Sequence, residues 1–426
     1  MKNIIPPVKG TRDFYPEQMA IRTWLYEAVR AVSESFGYQE WEAPLLETLD
    51  LYAAKSGEEL VKEQSYVFTD RGGDMITLRP ELTPSLARLV AQRQNELSFP
   101  LRWWSWGPFW RYERPQRGRT REFLQWNVDM IGVDSPEADA EVVTVLASLF
   151  QKVGLTPREV LILVNNRRLT DAQLEMIGIP KERRPAVMTW IDRRDKLTVD
   201  AWETYGREVG LSDEQIAKTK TMLADQDLWK QSEELVQFFK AIEALGLAQY
   251  IRFDPSIMRG LAYYTGTVFE AWEVGGDIKR SILGGGRYDN LLSDVGGSPL
   301  SAVGFAMGDV VMGLLMEKYG LAPKELKASP ALVLVTVFDK ERILDSMRLA
   351  ADLRREGLNV ICYPESAKLQ KQFKFADRMG MKVALVVGPD EAAVGKVTIK
   401  NLVDGSQFTL ERAGVVDAIK KILAAQ

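Results

Sequence analysis

The 426-residue sequence contains no histidine. Histidine is the side chain that most often acts as a general base near neutral pH, and it is the commonest metal ligand. Its absence excludes catalysis by an imidazole of the protein and any metal site built on histidine. The chemistry must therefore use carboxylates, guanidinium groups, amines, phenols or bound ions.

Cysteine is almost absent as well, because Cys362 is the only one. An intramolecular disulfide is therefore excluded, and we do not expect a cysteine-built metal site. No apolar run reaches the length of a membrane span, and the opening MKNIIPPVKGTRDFYP has no apolar region typical of a secretory signal. These absences predict a cytoplasmic protein without membrane contact.

The net charge is −4, from 55 Lys and Arg against 59 Asp and Glu, which argues against a protein that binds polyanions over its whole surface. The charge is unevenly distributed, because residues 331–426 carry 15 basic and 12 acidic side chains. The end of the chain is therefore net positive although the whole is net negative. Since the local field governs contact with phosphates, this part can still hold a nucleic acid.

The hydrophobic pattern predicts an α+β fold with an inserted helical module. Helix signals include Gly37 as a stop and Thr83 as an N-cap followed by Pro84. The predicted elements are helices over 17–36, from Thr83 and over 137–153; a hairpin over 66–78; strands over 101–113, 121–132, 250–254, 259–272 and 278–284; a glycine-rich turn GGGRYDNLL; and a strand running into a helix over GFAMGDVVMGLLMEKYG.

The chain also divides into two predicted domains. The segment LAPKELKASPA (321–331) has the character of a linker, and strands alternate with helices beyond it. We expect a C-terminal α/β domain over 331–426. The larger domain, over 1–325, is expected to hold an antiparallel sheet flanked by helices, with a mostly helical insertion over about 165–245.

The segment RYERPQRGRTREF (111–123) is rich in arginine. Arg111 follows PFW and is predicted to lie on a strand. A guanidinium group on a strand of an apolar sheet needs an anion, because an unpaired buried charge is very costly. Its planar fork matches phosphate oxygens. The segment is therefore a candidate phosphate site, and the alternative is a solvated hairpin tip.

Polar side chains alternate along the strand that follows. Because side chains two apart share a face of a strand, Arg121, Gln125 and Asp129 are predicted to point together. Glu81 and Thr83 lie in TLRPELTP on a neighbouring segment. Such a face is either exposed to solvent or part of a pocket. In a pocket, these groups would suit a small zwitterion, with carboxylates for its ammonium group and arginine for its carboxylate.

Several of these segments are similar to one enzyme family. RYERPQRGRTREFLQWNVDMIG resembles motif 2 of class II aminoacyl-tRNA synthetases in its histidyl-tRNA synthetase form, and RGLAYYTGTVFE resembles the histidine-binding strand of that family. TLRPELTPSLAR, ILGGGRYDNLL, VGFAMG and KGTRDFYP match further blocks, and the end of the chain resembles the family's anticodon-binding domain. The resemblance covers essentially the whole chain and implies the class II synthetase fold.

The resemblance implies a reaction in two steps. Histidine and ATP form histidyl-adenylate and pyrophosphate, and the histidyl group then passes to the 3′-terminal adenosine of tRNA(His). The substrate carboxylate is itself the nucleophile of the first step, so the absence of histidine from the protein is no obstacle. The family also implies Mg²⁺ with ATP, and a homodimer formed through the N-terminal helix and the strand around Pro44.

The resemblance further assigns roles to individual residues. Arg111 and Arg259 would be catalytic and would contact the α-phosphate from opposite sides. Histidine would be bound by Glu81, Thr83 and Gln125 at its ammonium group, by Asp129 and Tyr264 at its imidazole ring and by Tyr263 at the pocket wall. ATP would be bound by Arg111, Glu113, Arg119 and Arg259, and Gly284 to Gly286 would allow close approach of backbone to the ligand.

The sequence departs from the family pattern at three places. Ala262 stands where an acid is usual, and Leu124 stands where histidine or an aromatic residue is common. Motif 3 of class II synthetases carries an arginine near ATP, and here Arg287 is the candidate substitute. The residues that occupy the motif 3 position are Asp309, Val310 and Val311.

The missing arginine keeps a second function open. A catalytically silent relative could bind histidine and act as the regulatory subunit of ATP phosphoribosyltransferase, which is built on the same catalytic fold. The arginine-rich segment and the anticodon-binding-like domain favour the enzyme, because a regulator has no need to bind an anticodon.

Overall fold

The computed structural model describes residues 4–53, 63–258, 264–290, 293, 295–323 and 329–425. The chain divides into two compact units. The first comprises Met1–Asp13 and Trp24–Ala322, and the second comprises Phe14–Thr23 and Pro323–Gln426. Helix α1 (Pro16–Ser35) contributes residues to both.

The strands of the first unit form two sheets. In chain order they are β1 (Gln39–Glu40), β2 (Leu46–Thr48), β3 (Tyr66–Thr69), β4 (Met75–Leu78), β5 (Leu101–Trp110), β6 (Glu122–Ile131), β7 (Val160–Asn166), β8 (Ile251–Phe253), β9 (Thr267–Glu273), β10 (Leu283–Tyr288) and β11 (Ala302–Gly308). The main sheet has eight strands in the order β1-β5-β6-β11-β10-β9-β7-β8, and the smaller sheet has the order β2-β4-β3. Strands β5, β6, β11, β10, β9 and β7 pair antiparallel, which confirms the predicted antiparallel sheet at its centre. The edge strands β1 and β8 pair parallel with β5 and β7, so the whole sheet is mixed.

The helices of the first unit flank this sheet. After α1 they are α2 (Leu49–Ala53), α3 (Thr83–Arg93), α4 (Pro136–Lys152), α5 (Arg167–Met176), α6 (Arg184–Asp192), α7 (Val199–Glu208), α8 (Asp213–Ala224), α9 (Glu233–Ala244) and α10 (Asp309–Tyr319). Helices α5 to α9 fall within the helical segment predicted over 165–245.

One face of the main sheet is packed against helix α4. The helix begins at Pro136, and the hydroxyl of Ser135 accepts a hydrogen bond from the backbone N–H of Ala138, as an N-cap does. The large side chains on this face of the sheet belong to the main hydrophobic core, and burial of each contributes about 1.5–3 kcal/mol. They include Trp126, Val128, Met130, Phe269, Phe305 and Met307.

The helical insertion contains a pair of stacked tryptophans. The rings of Trp190 on α6 and Trp202 on α7 lie 4.0 Å apart between centroids, with planes 11° from parallel. Each indole N–H donates a hydrogen bond to the backbone carbonyl of the other residue, at 2.7 and 2.8 Å. A ring at this depth thus buries its apolar surface without leaving its N–H unsatisfied.

The second unit contains its own five-stranded sheet, in agreement with the predicted C-terminal α/β arrangement. Its strands are β12 (Val333–Val335), β13 (Val360–Cys362), β14 (Val383–Val386), β15 (Lys396–Asn401) and β16 (Gln407–Glu411), in the order β13-β12-β14-β15-β16. Its helices are α11 (Ile343–Arg355), α12 (Leu369–Arg378), α13 (Pro389–Ala393) and α14 (Val415–Ala424).

Several local predictions were wrong, among them the strand over 278–284, because β10 runs over Leu283–Tyr288. Gly284 to Gly286 lie inside strand β10 and not in a turn, and Tyr264 precedes strand β9, which begins at Thr267. Arg111 lies just beyond the end of β5 at Trp110. Thr83 is the first residue of α3, and its N-cap is Leu82.

Within the described part of the chain, no helix is both long and apolar enough to cross a bilayer. The same residues include no group of three or more His, Cys, Asp or Glu that could hold a metal ion.

Candidate active site

The second face of the main sheet carries small side chains at its centre. The register of β6 with β11 places Gln125 beside Gly308, Asn127 beside Ala306, and Asp129 beside Gly304. Because paired residues point to the same face, the polar side chains of β6 project beside a surface of glycine and alanine. On the other face the alternate residues are large and packed against α4. One face of the sheet is therefore part of the core. The other face, with the small side chains of β10 and β11 beside the polar side chains of β6, can form the floor of a pocket and is called the floor below.

Gly304 is required by the position of Asp129. A Cβ atom at residue 304 would overlap the Oδ1 atom of Asp129 and would lie 2.6 Å from the carbonyl oxygen of Val128. Gly286 on β10, which pairs with Gly304, leaves room in the same way, since a Cβ atom there would lie 2.9 Å from the ring of Tyr264. The glycines thus bring Asp129 and Tyr264 to the same end of the floor.

Asp129 is a buried carboxyl group with one hydroxyl donor. The hydroxyl of Tyr288 donates to its Oδ1 atom at 2.6 Å. Burial raises the pKa of Asp129 to about 7, and the hydrogen bond from Tyr288 opposes that rise. A carboxyl with a pKa near neutrality, placed on a pocket floor, is a group that a ligand proton donor can engage.

Arg111 lies over the same floor, at the other end of β6. Its guanidinium group stands above the ring of Phe123 at 5.5 Å from the centroid, and Phe123 shares a strand face with Gln125. Its Nε–H donates to the carbonyl of Pro80 at 2.9 Å. This bond fixes the guanidinium next to Glu81, whose side chain is buried. The structure therefore places Arg111, bonded to the segment that carries Glu81, at the Gln125 end of the floor, and Asp129 and Tyr264 at the other end.

A second arginine holds the segment that carries Glu81. Arg79 is fully buried, and it pairs with Glu42 and donates to the carbonyls of Ala43 and Pro108, each at 3.0 Å. The backbone N–H of Trp110 donates to the carbonyl of Arg79 at 3.2 Å. These bonds attach Arg79 to the end of β5, and helix α3 begins four residues later, at Thr83.

The loop after Arg111 contains an ion pair between two of the predicted ATP-binding residues. The carboxylate of Glu113 is buried and contacts the guanidinium of Arg119, which is 40% exposed. The backbones of Gln116 and Arg119 exchange two hydrogen bonds, at 3.0 and 2.8 Å, and close the loop. The loop is thus a defined turn that presents a partly exposed arginine.

Two arginines are not where the sequence predicted. Arg121 precedes β6, so the strand period does not apply to it, and its Nε–H donates to the carbonyl of Glu113 at 3.0 Å. Arg287 points to the face of the sheet that meets α4, where it pairs with Asp139 at 2.6 Å and is buried. The prediction that Arg287 substitutes for the motif 3 arginine is therefore wrong.

Two other predicted site residues, Arg259 and Tyr263, lie outside the described residues.

The sequence interpretation missed one polar pair on the pocket floor. Asn127 lies between Gln125 and Asp129 on the same strand face, and the register places Ser105 of β5 beside it. Both residues are buried, and the Asn127 Nδ2 and Ser105 Oγ atoms have no hydrogen-bond partner among the described residues. Buried polar atoms are normally paired, so these two favour a ligand or water above them. The two-residue period that selected residues 125 and 129 also indicates residue 127.

The chain matches two family models. The model described as histidyl-tRNA synthetase matches residues 10–309, and the model described as anticodon binding domain matches residues 332–422.

Full-length relatives are similar to this chain. It is 38% identical to the chloroplastic/mitochondrial histidine–tRNA ligase of Arabidopsis thaliana over 417 residues, which cover 96% of this chain and 85% of the relative. It is 36% identical to the histidine–tRNA ligase of Pyrococcus horikoshii, over 99% of this chain and 100% of the relative. The crystal structure of histidyl-tRNA synthetase from Nostoc sp. PCC 7120 superposes with a TM-score of 0.83 at 26% identity, and the match covers 99% of this chain and 100% of that one. The chain belongs to the histidyl-tRNA synthetase family.

Proposed function

We propose that the chain is a histidine–tRNA ligase, which activates histidine with ATP and transfers the histidyl group to tRNA(His). The observation that carries the proposal is the arrangement along β6. Arg111 stands over Phe123 at one end, and the carboxyl group of Asp129 lies at the other, with Gln125 between them on the same face. A strand advances about 3.3 Å per residue, so the six residues from Phe123 to Asp129 span about 20 Å. That length has room for histidine, with its carboxylate toward the arginine, together with the α-phosphate of ATP.

In the first step the histidine carboxylate attacks the α-phosphorus of ATP. One carboxylate oxygen forms a bond to phosphorus while the bond to the bridging oxygen of pyrophosphate breaks. Negative charge spreads over the phosphoryl oxygens as this happens. The proposed contribution of Arg111, together with Arg259, is to align the two anions and to stabilise that charge. No group of the protein has to remove a proton, which suits a chain without histidine.

We assign the amino acid to the floor of the pocket. Glu81, Thr83 and Gln125 would hold the ammonium group. Asp129 and Tyr264 would hydrogen-bond the imidazole, whose neutral ring offers one donor and one acceptor. Tyr263 would form the pocket wall. The Asn127 Nδ2 atom, which has no hydrogen-bond partner among the described residues, would meet the ligand or a water between the two ends.

We assign ATP to the end of the floor at Arg111, with Glu113, Arg119 and Arg259. Mg²⁺ would enter with ATP, since this ion is usually held by phosphates, water and only one or two carboxylates. Glu113 is the carboxylate that lies next to the expected phosphates. Such a site does not need the group of three protein ligands that is absent from the described residues.

The remaining assignments concern partners and domains. We propose that residues 1–325 form the catalytic domain, with its insertion over about 165–245, and that residues 331–426 form the anticodon-binding domain. The net positive charge of the second segment supports a role in holding tRNA. We further propose a homodimer that works in the cytoplasm. The regulatory-subunit alternative is not favoured, because full-length ligases and the anticodon-binding model both match the chain.

Histidine-dependent exchange of label between pyrophosphate and ATP is expected for the purified protein, followed by charging of tRNA(His). Omission of histidine, or its replacement by another amino acid, is the control and should abolish the exchange. A protein that binds histidine in calorimetry but catalyses no exchange would instead be the silent, regulatory relative.

The affinity for histidine should depend on pH through Asp129. The pKa of about 7 means that the carboxylate, which accepts a hydrogen bond from an imidazole N–H, is lost as the pH falls below neutrality. We expect the Kd for histidine to rise several-fold more between about pH 8 and about pH 6 in the wild-type protein than in Asp129→Asn. Titration of the substrate imidazole is common to both proteins and cancels in the comparison. Identical pH profiles would remove Asp129 from the imidazole site.

A further inference from the structure

Helix α10 begins where the family carries its motif 3 arginine, but it presents no cation there. Val311 is buried in the hydrophobic core, so that position cannot reach a ligand. Asp309, the first residue of the helix, turns its carboxylate towards β6. Its Oδ1 atom accepts a hydrogen bond from the backbone N–H of Leu124 at 2.8 Å. The site thus holds a fixed anion where a cation is expected.

The carboxylate of Asp309 forms an ion pair with an arginine from the N-terminal part of the chain. The Nη2 atom of Arg12 lies 2.8 Å from the Oδ2 atom of Asp309, although the two residues are 297 positions apart. The Arg12 side chain is 29% exposed, whereas that of Arg287 is 4% exposed. The Arg12 side chain is therefore partly exposed to solvent, whereas that of Arg287 is enclosed.

The backbone before Arg12 is fixed to the arginine-rich loop. The carbonyl of Gly10 accepts hydrogen bonds from the N–H groups of Arg121 and Glu122, at 2.8 and 3.3 Å. Gly10 has φ +88°, and a Cβ atom there would lie 2.9 Å from the side chain of Pro115, so only glycine fits. The segment of Arg12 therefore has two connections. Gly10 binds the end of the arginine-rich loop, and the Arg12 side chain binds Asp309 at the start of α10.

The ion pair also lies at the phosphate end of the floor. Asp309 bonds to Leu124, which is next to Phe123, the residue over which Arg111 stands. Asp129, at the imidazole end, is five residues further along the strand.

We propose that Arg12 supplies the guanidinium group that the sequence of α10 lacks, and that Asp309 positions it on the phosphates of ATP. The inference rests on the proposed function, because it assigns ATP to this end of the site. A guanidinium group has enough N–H donors to bind a carboxylate and a phosphate oxygen together. The negative charge of Asp309 would orient Arg12 before ATP arrives.

The test is the KM for ATP in histidine-dependent pyrophosphate exchange. Arg12→Ala should raise it roughly tenfold to a hundredfold, since a charged hydrogen bond to phosphate is lost, and should change the KM for histidine less than about twofold. Asp309→Asn should have a smaller effect in the same direction. Arg102→Ala is the matched control, because Arg102 forms a similarly exposed pair with Glu141 on the opposite face. It should leave both KM values unchanged.

An unchanged KM for ATP in Arg12→Ala would overturn the proposal and leave the pair as a structural contact. If that variant does not fold, Arg12→Lys decides, because it keeps the charge beside Asp309 but loses the planar fork. Its KM for ATP must still rise several-fold, and a wild-type value would overturn the proposal. If the wild-type protein catalyses no exchange, the proposed function fails. Calorimetric binding of ATP to wild type and Arg12→Ala then tests Arg12 by itself, and equal Kd values would overturn it.

Discussion

Arg111→Ala is expected to lower the kcat of histidine-dependent pyrophosphate exchange by about 10²–10³-fold, the usual effect of removing one preorganised donor from a transition state. The guanidinium is held in one orientation by its bond to Pro80 at 2.9 Å and by the ring of Phe123. Its charge therefore needs no reorganisation when the α-phosphoryl group becomes more negative. Initial rates at saturating histidine and ATP measure the effect directly.

Two further variants make the result specific. Arg111→Lys keeps the charge but not the fork, so its kcat should fall between those of the wild type and the alanine variant. Arg117 is exposed in the same loop, and Arg117→Ala removes an equal charge. It should change kcat less than about threefold. Equal losses in Arg117→Ala and Arg111→Ala would show that only the general positive charge of the loop matters.

Arg287→Met is expected to reduce the free energy of unfolding by about 3–5 kcal/mol, because it leaves a buried carboxylate without its cation. Asp139 is 2% exposed, and both of its oxygens accept hydrogen bonds from Arg287, at 2.6 and 3.3 Å. Burial raises the pKa of Asp139, and the guanidinium of Arg287 opposes that rise. Arg287 also donates to the carbonyls of Val133 and Ser135 before α4. Urea unfolding followed by circular dichroism measures the loss.

The double variant Asp139→Leu/Arg287→Met tests the cause. It removes both charges, so it should recover a large part of the stability lost in the single variant. The folded fraction of Arg287→Met should keep a normal KM for ATP, in contrast to Arg12→Ala. A loss of stability below about 1 kcal/mol would mean that water or another group compensates Asp139.

The sequence predicted the site best where the backbone is regular. Strand β6 keeps its period from Glu122 to Ile131, so the shared face of Gln125 and Asp129 follows from counting. The same count fails for Arg121, which lies one residue outside the strand. Asn127 satisfies the same count but was missed, because the family resemblance assigned roles to Gln125 and Asp129 and none to the residue between them.

Other features depend on neighbours that are remote in the sequence. The glycines of GGGRYDNLL are typical of a turn, yet they form the middle of β10 because Phe269 and Phe305 press against Gly285 from both sides. The partner of Arg287 lies 148 residues away, and that of Arg12 lies 297 residues away. No local pattern could have indicated these pairs. The fold class was predictable because several long motifs occur in the family's order.

The close approach of β9, β10, β11 and β6 limits which substitutions these strands can tolerate. At Gly285, Gly286 and Gly304 the first atom of any side chain would meet a main-chain oxygen, those of Gly304, Thr267 and Val128 respectively. A main-chain oxygen of a central strand cannot rotate away as a flexible side chain can. A saturation library of this gene should therefore lose every missense allele at these three codons, whereas Gly313, which has open space around it, should tolerate exchange.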